Sequence, residues 1–231
     1  LDSRRYLEHA NTKFTTAKAI ETYQHEYGIG YPAEERPAGR PAKTSPAYLR
    51  LQAKGAHFGA RGGWERAVFF PQGDDLASGP LHSFRRPSWH KSIQREIDAV
   101  QNRVAVLDLP GFTKFEVTGP GAATWIDHMV TGALPKPGRT ALNYFCAPSG
   151  GIVTEMTITA FGPNHYWLIS AAAGESHDEH WLREHLPADG SVQISNLSAR
   201  YGTLIVVGPK SRELLAKLTD HELTNAAFPW L

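Results

Sequence analysis

The spacing of apolar residues in the first third of the chain predicts two helices, an extended segment and a strand. Apolar side chains recur at near-helical spacing up to about residue 30, and Gly28 follows as a stop signal, so we expect one amphipathic helix there. Four prolines deny regular structure to residues 31–46, which indicates an extended surface segment. A short helix over 45–54, with Ser45 as its cap, and a strand over 62–70 complete this part. The apolar positions of the first helix are Tyr6, Leu7, Phe14, Ala17, Ile20, Tyr23 and Tyr27.

The polar residues 72–83 are the best candidate for a linker, because the pattern changes after them. Apolar residues at spacings of four and three then predict a helix from Trp89 to about Asn102. Further along, short apolar runs predict strands, and two helices begin after Gly-Pro pairs. The predicted strands are 104–109, 112–118, 141–146, 152–159, 166–170, 192–195 and 203–207, and one more helix is predicted at 176–185.

One pattern occurs twice in this second part. A strand runs into Gly119 and Pro120 and then into an amphipathic helix, and 89 residues later a strand runs into Gly208 and Pro209 and a second such helix. Units of this kind build ferredoxin-like sheets, so we expect a pseudo-two-fold pair of them with a ligand cleft between the halves.

These patterns together predict an α+β fold. We expect ferredoxin-like strand and helix repeats over residues 84–231, preceded by a smaller mixed module over residues 1–75.

The Gly150-Gly151 pair opens the strand that carries the most distinctive acidic residue. Glycine reaches positive φ without steric cost, so the pair indicates a tight turn that leads into the β-branched run 152–159. Glu155 lies in that run and is either a positioned acid, base or hydrogen-bond acceptor, or a carboxylate on the solvated face of a half-buried strand. Alternation places Val153, Glu155 and Thr157 on one face. We expect Glu155 to face a cleft shared with Tyr144 or Trp167.

Composition and charge exclude several classes of protein. The 231 residues are 41% hydrophobic and 20% charged, and the net charge of +1, with scattered Lys and Arg, argues against nucleic-acid binding. A single cysteine, Cys146, excludes an internal disulfide and fits a reducing compartment. No apolar run is long enough to span a membrane. The first residue is Leu1 and no signal pattern follows it, so we expect a fragment or a processed product.

Catalytic and cofactor motifs were sought next. Four side chains near one predicted helix, His177, Asp178, His180 and His185, match no zinc-protease spacing, and a solvated helix face is favoured over a metal site. The chain contains no G-x-S-x-G elbow and no G-x-G-x-x-G dinucleotide fingerprint. The aromatic residues at 64, 69 and 70 favour a core strand over the lining of a ligand pocket.

Two sets of short motifs resemble a known family when taken together. Residues 36–70 resemble the central module of the dimethylglycine and sarcosine dehydrogenases, which are flavin-dependent amine oxidoreductases. The rest resembles the folate-binding aminomethyltransferase domain of the glycine-cleavage T-protein type. The motifs are Arg36–Arg40, Ser45–Tyr48, Gly55–Gly59, Gly63–Arg66, Phe69-Phe70, Asp108-Leu109, Lys114–Ala122, Gly138-Arg139, Gly150–Ile152, His177-Asp178 and Gly208–Arg212.

This resemblance implies a function. The chain is expected to be part of an FAD-dependent N-methylamine dehydrogenase or oxidase whose folate domain transfers the one-carbon unit to tetrahydrofolate. The resemblance implies that Glu155 matches the family's catalytic aspartate and is longer by one methylene, and that Tyr144, Glu155 and Trp167 bind folate. FAD would be carried by a preceding domain that is not part of this chain.

The resemblance leaves two other functions open. One is a non-catalytic binding or assembly module with the folate fold, and the other is a one-carbon transferase of the same fold without a flavin. The expected partners are a small N-methyl amine and a further copy of the chain, with no nucleic acid and no membrane. The expected location is the bacterial cytoplasm or the mitochondrial matrix.

Overall fold

The computed structural model describes residues 9–229, which divide into two compact units. The first unit is Gly111–Tyr201, and the second combines residues 9–110 with Gly202–Pro229. Residues 1–8 and 230–231, which end the two predicted domains, lie outside the described residues. Tyr6 and Leu7 of the predicted first helix are among them. The linker at 72–83 falls within the second unit and stays a prediction.

The first unit is built on a five-stranded antiparallel sheet. Its strands are β4 (Phe112–Thr118), β5 (Thr140–Cys146), β6 (Ile152–Gly162), β7 (His165–Ala171) and β8 (Gln193–Asn196), in the spatial order β5-β6-β7-β4-β8. The central strands alternate between buried and exposed side chains, so one face of the sheet is apolar and the other is accessible.

Two helices cover the apolar face of this sheet. They are α4 (Ala122–Met129) and α5 (Glu175–Glu184), and a short 3-10 turn, Ala172–Gly174, precedes the second. Ile126 of α4 and Leu182 of α5 are fully buried against Phe115, Ile158 and Leu168 of the sheet. Trp125 donates its Nε1–H to the carbonyl oxygen of His185 at 2.7 Å, which satisfies the polar group of a buried ring. These two helices leave the side chains of the opposite face of the sheet accessible.

The second unit contains two small sheets and four helices among the described residues. A hairpin joins β1 (His57–Arg61) to β2 (Trp64–Phe69), and β3 (Ala105–Asp108) pairs antiparallel with β9 (Leu204–Val207). The helices are α1 (Thr12–Gln24), α2 (Tyr48–Ala53), α3 (His90–Asn102) and α6 (Ser211–Leu215). Phe69 is buried and stacks on His57 and on Trp89, so the aromatic strand forms core, as its composition favours.

The two Gly-Pro turns have the same local structure. Gly119 and Gly208 have φ values of 119° and 121°. Two residues after the first glycine, Gly121 donates its N–H to the carbonyl oxygen of Ser191 at 3.1 Å, and at the matching place Lys210 donates to Arg103 at 2.9 Å. Each accepting residue lies two positions before a strand, Ser191 before β8 and Arg103 before β3. These strands pair with the strand that leads into each turn, β8 with β4 and β3 with β9. The repeat is therefore present in the backbone, while the rotation relating its copies stays a prediction.

Several elements differ from the sequence-based expectation. The helix α1 begins after Asn11, whose side chain accepts the N–H of Phe14 at 3.0 Å, and ends at Gln24, before Gly28. The strand β1 was not expected, because its residues follow a glycine and carry no alternation. Inside the predicted linker, Asp75 is buried and bound by Arg95 and Ser92 of α3, and the Arg95 guanidinium holds the pKa of that carboxyl below its ordinary value.

Candidate functional site

The turn before β6 positions Glu155. Gly150 has a φ of 83° and donates its N–H to the carbonyl oxygen of Ala147 at 2.8 Å, while Ala147 donates to Gly151 at 2.9 Å. These bonds close the hairpin between β5 and β6. Gly150 adopts the left-handed conformation, which glycine reaches at little steric cost.

A β-bulge then changes the direction in which the first side chains of β6 point. Phe145 lies opposite Thr154, whereas the next residue of β5, Cys146, lies opposite Ile152, so Val153 is the extra residue. Such irregularities bend a strand and often occur beside functional sites. As a result Val153, Thr154, Glu155 and Thr157 all line one cavity of about 460 Å³.

The far wall of this cavity comes from the start of α5. His177 and Asp178 line it together with Gly174, and Ser170 contributes from the end of β7. Asp178 is buried, and a side chain at position 174 would press on its carboxylate, because a Cβ there would lie 3.2 Å from Oδ2. Apolar side chains complete the lining, namely Phe112, Leu142 and Ile169. The cavity therefore combines one accessible carboxylate, one imidazole and an apolar floor.

The other two predicted folate-binding residues lie outside this lining. Tyr144 is directly opposite Glu155 in the register of β5 and β6, so the two side chains are neighbours on the accessible face. Trp167 is opposite Thr159, four residues beyond Glu155, which corresponds to about 13 Å along the strand. Trp167 instead contacts Phe161 and Tyr201, with ring centroids at 5.6 and 5.1 Å. The structure thus brings Tyr144 to Glu155 and separates Trp167 from it.

A second and more apolar cavity, of about 630 Å³, lies within the second unit between β2, α3 and β3. Two acidic residues line it, Glu96 and Asp108, and the Glu96 carboxylate accepts the N–H of Phe70 at 2.8 Å. Burial raises the pKa of Glu96, and the bond from Phe70 opposes that effect. Burying a carboxylate costs free energy unless it is hydrogen-bonded, and the N–H of Phe70 supplies such a bond.

Within residues 9–229, no group of three or more His, Cys, Asp and Glu side chains is arranged to hold a metal ion. No helix in this part of the chain is long and apolar enough to cross a membrane.

Sequence reasoning did not assign His177, Asp178 and Ser170 to the cavity. In the sequence, His177 and Asp178 belong to a possible metal cluster and to one of the family motifs, and Ser170 is the last residue of a predicted strand. An adjacent His and Asp at the start of a helix was the available signal. Only the fold shows that this helix start meets the strand that carries Glu155.

Comparisons with known proteins find the same two families as the resemblance, with residues 47–70 inside the match to the GCVT N-terminal domain. The GCVT N-terminal domain family matches residues 47–231, and the FAD dependent oxidoreductase central domain family matches residues 1–45. The mitochondrial dimethylglycine dehydrogenase of Homo sapiens is 37% identical over 234 residues, covering 100% of this chain and 27% of that protein. The mitochondrial sarcosine dehydrogenase of Homo sapiens is 26% identical over 270 residues, covering 99% of this chain and 29% of that protein. The chain thus spans just over a quarter of the length of these relatives.

The comparison with solved structures concerns the fold. Glycine cleavage system aminomethyltransferase T from Bartonella henselae superposes with a TM-score of 0.60 at 22% identity, covering 76% of this chain and 43% of that one. The predicted α+β class of the aminomethyltransferase fold is confirmed by this likeness. Because the matched segment 47–231 is most of the sequence, the chain belongs to the GCVT N-terminal domain family, and it is homologous to the dimethylglycine and sarcosine dehydrogenases.

Proposed function

We propose that this chain contributes the one-carbon-capture site of an FAD-dependent N-methylamine dehydrogenase or oxidase of the dimethylglycine and sarcosine type. The observation that carries the proposal is a GCVT-family sheet whose Glu155 lines a cavity of about 460 Å³. Volumes of this size are usual for small-molecule sites. The named activities of the two dehydrogenase relatives support the reaction class.

The residues of the cavity fit a reduced folate. The carboxylate of Glu155 and the hydroxyls of Thr154 and Thr157 can accept hydrogen bonds from the N–H groups of a reduced pterin. Leu142 and Ile169 offer apolar surface to the flat face of its ring. Tyr144, beside Glu155, and Trp167, farther along the same face, remain in the proposal as further folate contacts.

Glu155 is proposed as the catalytic group of this site. When bound, tetrahydrofolate supplies amine nitrogens that accept a one-carbon unit at the oxidation level of formaldehyde. The Glu155 carboxylate orients such a nitrogen by accepting its N–H and takes up the proton that the capture displaces.

Other parts of the proposal concern the whole protein. We assign no FAD contact to this chain, since its sequence has no dinucleotide fingerprint, and we place FAD in a part of the protein outside these residues. The substrate is a small N-methyl amine, and the compartment is the bacterial cytoplasm or the mitochondrial matrix. Homo-oligomer formation would be checked by light scattering, and the linker at 72–83 by limited proteolysis.

The test replaces Glu155 in the flavin-loaded enzyme. Glu155→Gln keeps the size of the side chain but cannot take up a proton, so methylenetetrahydrofolate formation should slow by about 10²-fold while free formaldehyde rises. Flavin reduction by the amine, followed by its absorbance in a stopped-flow instrument, should stay unchanged.

A matched control is Glu184→Gln, which changes an exposed carboxylate of α5 outside the cavity. This variant should behave as the parent enzyme in both assays. Slower flavin reduction with normal folate product in Glu155→Gln would contradict the proposal.

A second candidate function is a non-catalytic binding module, and the exposure of the Glu155 side chain favours it. In that case Glu155→Gln would change neither assay. Isothermal titration of the 231-residue chain with 5-formyltetrahydrofolate would then show unchanged binding in the variant.

A further inference from the structure

A chain of hydrogen bonds ends at the buried carboxylate beside the cavity. Asp178 accepts the hydroxyl of Ser170 on Oδ2 at 2.6 Å, and Oδ1 lies 3.1 Å from Nδ1 of His177. Thr113 Oγ1 lies 2.5 Å from the Ser170 hydroxyl and also accepts the N–H of Ser170 at 3.1 Å. The side chain of Asp178 is only 4% exposed, so these neighbours replace water around its charge.

The direction of these bonds determines which nitrogen of His177 carries a proton. An ionised carboxylate can only accept, so the Ser170 hydroxyl donates to Asp178, and Thr113 must donate to Ser170. By the same rule, Nδ1 of His177 donates to Asp178. In the neutral ring, Nε2 is then the unprotonated nitrogen and is free to act as a base.

His177 and Glu155 line the same cavity from two different elements, α5 and β6. The titratable side chains of the lining are Glu155 from β6 and His177 and Asp178 from α5, whereas β4, β5 and β7 contribute no titratable lining group. Lys114 lies next to the cavity on β4, where its ammonium donates to the carbonyl oxygen of Phe112 at 3.0 Å. The cavity therefore holds two groups that can move a proton.

We propose that His177 is a second catalytic residue of the capture site and that Asp178 is its positioning residue. This inference rests on the proposed function. Nε2 of His177 would take the proton of one acceptor nitrogen and pass it to the departing amine. The carboxylate of Glu155 would accept a hydrogen bond from the N–H of the other acceptor nitrogen.

The balance of the reaction requires two such proton movements. In the iminium, a methylene carbon is doubly bonded to the positively charged amine nitrogen. This carbon forms bonds to two acceptor nitrogens that each lose one proton, and both of its bonds to the amine nitrogen break. The amine leaves as a protonated secondary amine that carries both protons and the positive charge, so charge is conserved and no oxidant is needed. One proton moves for each of the two new carbon–nitrogen bonds, which matches two acid–base groups in one cavity.

His180 is a natural control for His177. The side chains of both are 41% exposed, both lie on α5, and each has Nδ1 close to a carboxylate, Asp178 at 3.1 Å in one case and Glu184 at 3.3 Å in the other. They differ in that only His177 lines the cavity and only its partner is buried.

The first test is an NMR titration of the histidine rings in the 231-residue chain, with and without 5-formyltetrahydrofolate. A ligand N–H that donates to Nε2 favours the neutral ring, so the titration midpoint of His177 should fall by about one pH unit while that of His180 stays in place. An unmoved His177 midpoint in the presence of bound ligand overturns the inference.

The second test compares His177→Asn with His180→Asn in the flavin-loaded enzyme. Asparagine retains an N–H for Asp178 at the position of Nδ1 but has no group at Nε2. One-carbon capture should slow by about 10²-fold in His177→Asn and lose the pH dependence that the imidazole confers, with flavin reduction and His180→Asn unchanged.

The two proposals fail in different ways. A normal capture rate and pH profile in His177→Asn, with Glu155→Gln impaired, would overturn the role of His177 and leave the proposed function standing. No binding of 5-formyltetrahydrofolate by the parent chain, with no folate product from the parent enzyme, would overturn both.

Discussion

The two copies of the strand, Gly-Pro and helix motif share their local bonds and differ in burial. In the first copy, β4 has a neighbouring strand on each side, and Val117 and Ile126 are fully buried. In the second copy, β9 pairs only with β3 among the described residues, and Leu204 and Leu218 are exposed. The turn and its hydrogen bond to the neighbouring chain segment are thus the same in both copies, whereas burial of the strand and helix depends on how many neighbours the tertiary fold supplies.

The candidate chemistry lies in the unit that contains the first copy. A cavity that includes Phe112 of β4 joins Glu155 of β6 to His177 of α5, whereas the cavity beside α3 in the second unit is lined mainly by apolar side chains. The unit of the first copy therefore holds a polar cavity, and the unit of the second copy holds a mainly apolar one. The predictions below test how far the two copies differ.

The largest expected effect comes from substituting the turn glycines. A Cβ at Gly119 would overlap the carbonyl oxygen of Ser191, and at Gly208 it would lie 2.6 Å from that of Arg103. Both positions also have a φ that side chains disfavour. Gly119→Ala should lower the free energy of unfolding by about 4 kcal/mol and Gly208→Ala by about 2 kcal/mol, because the first turn belongs to the buried copy.

The control for this comparison is Gly138→Ala. Gly138 has a φ of 79° but open space around its Cβ position, so only the backbone cost of about 1 kcal/mol is expected. Urea unfolding followed by circular dichroism, with hydrogen exchange to assign each unit, measures all three variants. A loss in Gly119→Ala no greater than in Gly138→Ala would show that the turn relaxes freely.

The next effect concerns the matched repeat positions Met129 and Leu218, the first in α4 and the second just after α6. Met129 is 9% exposed in the core of the first unit, whereas Leu218 is 77% exposed. Met129→Ala should lower the free energy of unfolding by about 2–5 kcal/mol, and Leu218→Ala should change it by less than about 0.5 kcal/mol. Denaturant unfolding measures both. An equal loss in the two variants would mean that the second copy buries its helix in solution.

The smallest effect concerns Glu96 on α3 of the second unit. Burial raises the pKa of Glu96, so the folded state binds the proton more readily than the unfolded state, and stability falls as the pH rises through the folded pKa. Glu96→Gln removes this penalty and should raise the free energy of unfolding at pH 7 by less than about 1 kcal/mol. The gain should disappear as the pH falls below the ordinary pKa of glutamate.

The control for Glu96 has the opposite sign. The Arg95 guanidinium lowers the pKa of Asp75, so this carboxyl stabilises the fold above its unfolded pKa and loses that contribution as the pH falls through the folded pKa. Asp75→Asn should therefore destabilise the chain at pH 7 and less so in acid. Thermal unfolding between pH 3 and pH 7 distinguishes the two variants, and parallel curves for both would contradict the assigned directions.

The periodicity of the sequence predicted the strands β4, β6 and β7, because alternation over six or more residues leaves little ambiguity. It did not predict β1, whose residues lack alternation and are held by pairing with β2. The predicted stop at Gly28 placed the end of α1 too late. That helix ends at Gln24, where the N–H of His25 turns back to Thr22, since helix ends are decided by local capping.

At the candidate site, the sequence by itself determined the turn at Gly150 and the strand that carries Glu155, because these depend on local conformation. The pairing of β5 with β6 then placed Tyr144 opposite Glu155, where the sequence left Tyr144 or Trp167 open. Only the tertiary structure decided that His177, Asp178 and Ser170 meet Glu155 at one cavity and that Trp167 lies apart from it. The physical reason is that a side-chain period indicates which face of a strand a residue occupies. Which distant helix start reaches that face depends on the packing of the whole sheet.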